Sequence, residues 1–257
     1  MKIRLIRNAT LLIEYGSKRF LVDPALSPAG TFDSMPSPLY PGRRNPMTPL
    51  PAPGNEIVRG IDSAIITHIH PDHLDQAGAD LIPKDIPVFV QNILDKDQSR
   101  NYGFKKQFTT DITMLTAFQD VQLIRAPGKH GDGTYQHVLN EMANSSGVVF
   151  KHSNENTLYL TGDTVWYFGV QDTINRHNPS VIVANVGAAV KDDMRLIMGL
   201  QDLKALHEYS PEAKIVCVHL EAWNHCTITR QDVRKYAEAN GFAEYVFVPE
   251  DGEELQF

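Results

Sequence analysis

The 257-residue chain lacks what several protein classes require. It has two cysteines, Cys217 and Cys226, too few for a disulfide-stapled scaffold, and reduced thiols suit the cytoplasmic location expected for it. No apolar run approaches the roughly 20 residues that span a bilayer. The start, Met1-Lys2-Ile3-Arg4-Leu5-Ile6-Arg7, carries charge without the long apolar stretch of a secretion signal. No membrane association is expected. Basic residues are outnumbered, 24 Lys and Arg against 31 Asp and Glu, for a formal net charge of −7. With no basic cluster and no basic stripe interleaved with aromatics, nucleic acid is not an expected partner. Gly-x-Ser-x-Gly and Gly-x-x-x-x-Gly-Lys motifs are missing, which removes serine-nucleophile and phosphate-loop hydrolases from consideration.

Histidine is the residue that stands out. Thr67-His68-Ile69-His70-Pro71-Asp72-His73 places four metal-ligand side chains in six positions, directly behind the strand-like Ser63-Ala64-Ile65-Ile66. Period-two alternation aims His68 and His70 to one side of a strand end, while Asp72 and His73, past the turn, face a point a few Å away. That arrangement serves two neighbouring cations. Imidazoles with a carboxylate suit zinc first, or manganese, iron or nickel, whereas calcium and magnesium ask for a mostly oxygen shell.

Further candidates recur in one format, each where an apolar strand stops. His130 follows a strand at 121–126, Asp163 follows Thr157-Leu158-Tyr159-Leu160-Thr161-Gly162, and His219 follows Lys214-Ile215-Val216-Cys217-Val218. Strand ends sharing one sheet edge are rigid mounts, as a metal site requires. Asp23 is read as the acceptor for the outer ring N–H of a ligand histidine. His225, six residues past His219, is a candidate catalytic group that contacts substrate or protonates a leaving group, and Trp223 is a candidate pocket wall. His137, His152, His177 and His207 have no ligand-like context and read as surface or structural residues.

The chain resembles the metallo-β-lactamase superfamily of metal-dependent hydrolases. The resemblance is carried by His-x-His-x-Asp-His at 68–73, Gly-Lys-His at 128–130, Leu-Tyr-Leu-Thr-Gly-Asp-Thr at 158–164 and the late His219, and it covers almost the whole chain. Leu21-Val22-Asp23-Pro24 is most similar to the branch of L-ascorbate-6-phosphate lactonase-like proteins, although Asn8 stands where that branch often carries His. The resemblance implies that His68, His70 and His130 hold a first metal and Asp72, His73 and His219 a second, with Asp163 bridging them. It also implies an α/β fold, the four-layer αββα sandwich.

Hydrophobic periodicity agrees with that fold. Strands are expected near 3–6, 10–15, 19–23, 63–67, 86–90, 112–116, 121–126, 147–151, 157–161, 180–184, 214–218 and 244–248. Leu196, Leu200, Leu203 and Leu206 predict a helix over 192–209, and Thr229-Arg230-Gln231-Asp232 reads as a capping box opening a helix that Gly241 closes. At this length one domain spanning 1–257 is expected. Eight of the sixteen prolines fall in 28–53, which excludes a helix interior or central strand there. That segment is read as a lid over the metals or as an oligomer contact, and a homo-oligomer stays open.

Two close cations lower the pKa of bound water from about 15.7 towards 7, so a metal-bridging hydroxide attacking a small-molecule ester, lactone or phosphodiester is the leading expectation, with Asp72 orienting it or passing a proton. An iron-dependent oxidoreductase on the same fold and a catalytically silent metal-binding protein are the alternatives.

Overall fold

The computed structural model describes residues 1–109, 116–132, 145–191 and 194–257. Apolar-rich segments form β1 (Lys2–Arg7), β2 (Thr10–Tyr15), β3 (Lys18–Val22), β4 (Ser63–Ile66), β5 (Pro87–Val90) and β6 (Lys106–Thr109), alternating in β1 and β6 and near-continuous in β2, β4 and β5. The second half supplies β7 (Thr116–Phe118), β8 (Val121–Pro127), β9 (Ser146–His152), β10 (Glu155–Leu160) and β11 (Val181–Asn185). After these come β12 (Val190–Lys191), β13 (Met194–Arg195), β14 (Lys214–Val218), β15 (Val246–Phe247) and β16 (Glu254–Gln256).

Two mixed sheets result, ordered β16-β1-β2-β3-β4-β5-β6 and β15-β14-β11-β10-β9-β8-β7, beside a β12-β13 ribbon. Burial follows the pleat. Ile13, Phe20, Val22 and Ile65 of one sheet meet Leu123, Phe150, Leu160 and Val183 of the other in a shared core. Their neighbours point outward: Leu21, Ala64 and Ile66 pack under Ile57, Leu74 and Ala79. Val149, Ile182 and Cys217 pack under Val170, Leu203, Leu206 and Val233. Each Val, Leu, Ile or Phe side chain buried in this way contributes about 1.5–3 kcal/mol of transfer free energy. Apart from Leu74, just ahead of its helix, these outer residues come from helices at Gly54–Ile57, Gln76–Leu81, Phe168–His177, Leu200–Tyr209 and Arg230–Ala239. The layers are therefore helix, sheet, sheet, helix, as expected.

Strand direction sets the functional edge. β3, β4 and β5 run parallel in one sheet, and β10, β11 and β14 run parallel in the other. β8 and β10 both pair antiparallel with β9, so β8 shares the direction of β10. Their carboxyl ends line one edge, where Ser146 N donates to the Thr67 carbonyl (3.2 Å) and His219 N to the Asn8 carbonyl (2.9 Å). Asp75 caps the helix behind the histidine motif by accepting from Gly78 N at 2.7 Å, and it also accepts from Leu26 N and Ser27 N. A Cβ on Gly78 would sit 1.8 Å from the Pro24 carbonyl oxygen, so only glycine lets this helix lie on the Asp23–Pro24 turn.

Several expectations shift. The helix expected over 192–209 begins at Leu200, because Met194–Arg195 instead pairs with Val190–Lys191 and Gly199 is extended at the N-cap. The strand expected at 244–248 shrinks to Val246–Phe247 behind a 3₁₀ turn at Ala243–Tyr245. The strand expected at 112–116 lies outside the described residues except for Thr116, which opens β7. Thr229 caps its helix through the capping box, accepting from Asp232 N. The proline-rich segment carries no helix or strand before Gly54, only an isolated bridge between Phe32 and Asn45. Buried Arg7 fastens both of its ends, donating to the carbonyls of Ala25, Ser27 and Thr48 at 2.9, 2.9 and 3.0 Å. Burial pushes the Arg7 guanidinium down to about 10.

Candidate metal centre

The strand ends bring the expected side chains into two groups. His68, His70 and His130 form one, Asp72, His73, Asp163 and His219 the other, and within each group the potential donor atoms lie within 4.8 Å of one another. Asp163 stands between them. Its Oδ2 is 3.8 Å from His68 Nε2 and 3.5 Å from His130 Nε2 on one side, and 3.3 Å from His73 Nε2 and 3.7 Å from His219 Nε2 on the other. His68 Nε2 approaches His70 Nδ1 to 2.9 Å, and His219 Nε2 approaches Asp72 Oδ2 to 3.2 Å. Gly162 makes the approach of Asp163 possible: its φ is +63° and a Cβ there would meet the Ser146 carbonyl oxygen at 2.5 Å.

The outer partners fix which ring nitrogen faces the cluster. Asp23 accepts from Thr67 N, Thr67 Oγ1 and His73 Nδ1, each at 2.8 Å. The Leu196 carbonyl accepts from His130 Nδ1 at 3.0 Å. Because a carbonyl can only accept, the His130 proton belongs on Nδ1, and Asp23 selects the same tautomer for His73. Their Nε2 lone pairs then face carboxylate oxygen, electron-rich atom against electron-rich atom. His73 Nε2 is buried and has no hydrogen-bond partner. Cations relieve that repulsion; protons are the alternative. The electrostatics of the side chains alone favour the proton route. Burial disfavours the charged form of His73, but Asp163, Asp23 and Asp72 outweigh it and raise the ring to about 10. His219 is likewise raised well above the usual imidazole value against burial, by Asp163 and Cys226. Burial would raise Asp72 and Asp163, yet His73 and His219 hold both well below the usual carboxylate range. His68 is lowered by burial and by its imidazole neighbours. A donor set of imidazole nitrogen and carboxylate oxygen fits transition metals of the zinc, manganese, iron and nickel kind.

A cavity of about 250 Å³ opens beside the cluster. His70, Asp72, His130 and Asp163 form its floor, and Phe32, Met35, Leu196 and Trp223 are its apolar walls. His225 also lines it, 3.8 Å from Asp72 through Nε2, with its buried Nδ1 lacking a partner. Burial depresses His225 to about 4, so the ring is neutral at neutral pH. No described residue lining this cavity is Lys or Arg. Cys217 and Cys226 are both free thiols.

Sequence reasoning missed several neighbours. Asn185 Nδ2 donates to Asp163 Oδ1 at 2.6 Å, and it ends β11 just as the expected ligands end their strands, so the same rule would have found it. Thr67 was passed over as part of the histidine motif. Cys226 Sγ lies 3.4 Å from His219 Nδ1, and the Leu196 carbonyl carries no sequence signal at all. Of the remaining histidines, His152 meets Asp120 at 3.0 Å and His207 stacks on Phe242, His177 is lowered by burial away from the cluster, and His137 lies outside the described residues.

The "Beta-lactamase superfamily domain" model matches residues 18–220. Among curated proteins, the UPF0173 protein YddR of Bacillus subtilis (strain 168) is 40% identical over 258 residues, covering all of both chains. Among solved structures, a possible metal-dependent hydrolase from Veillonella parvula DSM 2008 is 34% identical with a TM-score of 0.93, covering 100% of this chain and 99% of its own. The isothiocyanate hydrolase from Delia radicum gut bacteria is 34% identical with a TM-score of 0.92 and the same coverage. With the matched model spanning most of the chain and these relatives all of it, the chain belongs to the β-lactamase superfamily as one of its metal-dependent hydrolases.

Proposed function

We propose that the chain is a binuclear hydrolase of small, neutral, largely apolar electrophiles: an ester, a lactone or an isothiocyanate. In this reading residues 1–257 form one domain whose proline-rich segment walls the site. His68, His70 and His130 hold one divalent transition-metal ion and Asp72, His73 and His219 the other, with Asp163 shared. The observation that carries the reading is the position of Asp163 Oδ2, 3.3–3.8 Å from ring nitrogens of both groups. Such a metal pair supplies hydroxide near neutral pH and polarises the electrophile.

The chain's own groups do the rest. Asp72 faces both His219 and His225 and is placed to accept a proton and pass it on. His225, neutral and with a partnerless Nδ1, orients a polar atom of the substrate. Phe32, Met35, Leu196 and Trp223 bury an apolar substituent and exclude water. A cavity without Lys or Arg among its described lining residues favours neutral substrates over phosphodiesters and phosphorylated lactones, whose recognition calls for cationic donors. The inclusion of isothiocyanates is supported by the relative of 34% identity that hydrolyses them.

Elemental analysis of protein purified without added metal, followed by a panel of short esters, γ-lactones, aryl isothiocyanates and phosphodiesters, tests this. Two transition-metal ions per chain and chelator-sensitive turnover of the neutral compounds are expected. One firmly bound iron with oxygen consumption, or a preference for phosphodiesters, refutes it.

A further inference from the structure

One fully buried polar side chain joins the two walls of the cavity and is itself no part of the lining. Asn224 lies between Trp223 and His225, both of which line the cavity. Its amide is spent entirely on the proline-rich segment. The two N–H of Nδ2 face three acceptors, Ser34 Oγ (2.9 Å), the Met35 carbonyl (2.7 Å) and the Tyr40 carbonyl (3.2 Å), so one N–H is shared between two of them. Oδ1 accepts from Met35 N (3.0 Å) and from Asn45 Nδ2 (2.8 Å). The bond is reciprocal, because Asn224 N donates to Asn45 Oδ1 at 2.8 Å. Met47 N adds a bond to the Ala222 carbonyl at 2.7 Å.

These bonds tie the segment to the 219–226 loop. The segment has no sheet ladder apart from the Phe32–Asn45 bridge, so nothing periodic fixes where Phe32 and Met35 stand. Yet Phe32 packs on Trp223, ring centroids 5.5 Å apart and planes tilted by 31°, and Phe32, Asp33 and Met35 line the cavity opposite His225. Asparagine suits the task because a single amide offers two donors and two acceptor sites in one plane, and here both halves engage the same segment. Alanine would remove the acceptor of the Met35 amide and one acceptor of the buried Asn45 Nδ2, keeping only the backbone bond from residue 224 to Asn45 Oδ1.

We infer that Asn224 is a positioning residue that clasps the proline-rich segment to the 219–226 loop and so sets the apolar wall that selects the substrate. It touches neither the candidate ligands nor the cavity, so its effect falls on how well a bulky apolar group is accepted. The choice of substrates for the test rests on the hydrolase reading above; the clasp itself does not.

Two readouts separate the clasp from that reading. Hydrogen exchange on the full-length protein needs no turnover: Asn224→Ala should speed exchange of amides over 30–47, Met35 above all, while those of Lys214–Val218 stay protected. Asn45→Ala attacks the same clasp from the segment side and carries the test if Asn224→Ala does not fold. Kinetics then compare methyl and phenethyl members of the ester or isothiocyanate class that the wild type hydrolyses. KM for the phenethyl compound should rise about tenfold or more with kcat little changed, whereas the methyl compound should shift by less than about threefold. Metal content should match wild type. Unchanged exchange in the segment overturns the inference, as does an equal loss for both substrates or a loss confined to kcat. If the wild type hydrolyses neither class, the substrate reading fails by itself, and ligand-observed NMR with benzyl alcohol replaces KM: binding weakened in Asn224→Ala supports the clasp, binding unchanged overturns it.

Discussion

Replacing Asp23 by Asn probes the support of the site with the least change in shape. The Asp23 carboxylate is buried and accepts three bonds, two from Thr67 and one from His73 Nδ1. In Asp23→Asn the remaining oxygen can keep Thr67 N, but the new NH₂ faces His73 Nδ1, donor against donor. The mismatch is relieved if His73 moves its proton to Nε2, the atom that faces the cluster, and a protonated nitrogen cannot ligate. Outer partners of this kind are worth about 10–100-fold in metal affinity, or about 1.4–2.8 kcal/mol. Asp23→Ala goes further and leaves three buried donors unpaired, at about 1 kcal/mol or more each. At about 2–4 °C per kcal/mol for a chain approaching this size, its melting temperature should fall by roughly 6–12 °C. Competition of metal-stripped protein against a chromophoric zinc chelator gives the affinity, and calorimetry gives the melt. Wild-type affinity for both ions in Asp23→Asn, with an unchanged melt in Asp23→Ala, would refute the claim that Asp23 orients His73.

Asp163→Ala should release metal from both groups and abolish turnover while circular dichroism stays that of the wild type, since the inter-sheet core does not use Asp163; retained metal and activity would remove its bridging role. His219→Ala should lose one ion, whereas His225→Ala should keep both and lose rate or substrate affinity, and the reverse pattern in elemental analysis exchanges the two roles. Metal loading of chelator-stripped protein near pH 8 should release protons. Asp163, Asp23 and Asp72 raise His73 to about 10 against burial, and His219 is shifted the same way, so ligation must displace protons held in the cluster. Titration calorimetry in buffers of different ionisation enthalpy should therefore find net proton release on loading, and a value near zero contradicts the assignment.

Much of this was legible in the chain itself. His68, His70, Asp72 and His73 draw attention because side chains of ligating type packed that closely behind a strand have few structural uses, and the format of a strand followed by a candidate ligand pointed to His130, Asp163 and His219, which the fold brings into the same two groups. Strand periodicity agreed with the two-sheet sandwich that the resemblance implied, and a slip of one residue would turn Phe20 or Phe150 out of the core. Less was legible where backbone atoms or distant pairings decide. Met194–Arg195 looked helical from the leucine spacing, but its partner strand Val190–Lys191 captured it. The Leu196 carbonyl that sets the His130 tautomer would be the same atom on any residue. Asn224 and Asn45 are 179 positions apart, and without the fold neither gives a reason to look at the other.

The backbone angles reveal where convergence of the site residues is forced. Among the described residues, non-glycine positive φ occurs at Asn8 (58°), Asp23 (46°), Ala188 (47°), His219 (63°) and Glu221 (61°) near the functional edge, besides Ser17, Gln119 and Asn178 in turns. An L-residue in this region is disfavoured by about 1–2 kcal/mol, less for Asn and Asp, whose short side chains tolerate it. Histidine shares some of that tolerance but Glu221 does not, and the surroundings hold both residues. His219 N is bonded to the Asn8 carbonyl, itself at positive φ, and Glu221 is gripped by Arg230 through its backbone N–H at 2.9 Å and its guanidinium. The need is geometric. His219 directly follows β14, and continued β geometry would carry the chain on past the edge, whereas a left-handed residue turns it back towards Asp72. Asp23 makes the same turn at the end of β3, which brings its carboxylate under His73. Side chains from opposite sheets meet at one point because the strands stop at a common edge and the first residues beyond them bend inward. The stability given up in those bends is matched by bonds that tie each one to a neighbouring strand or loop.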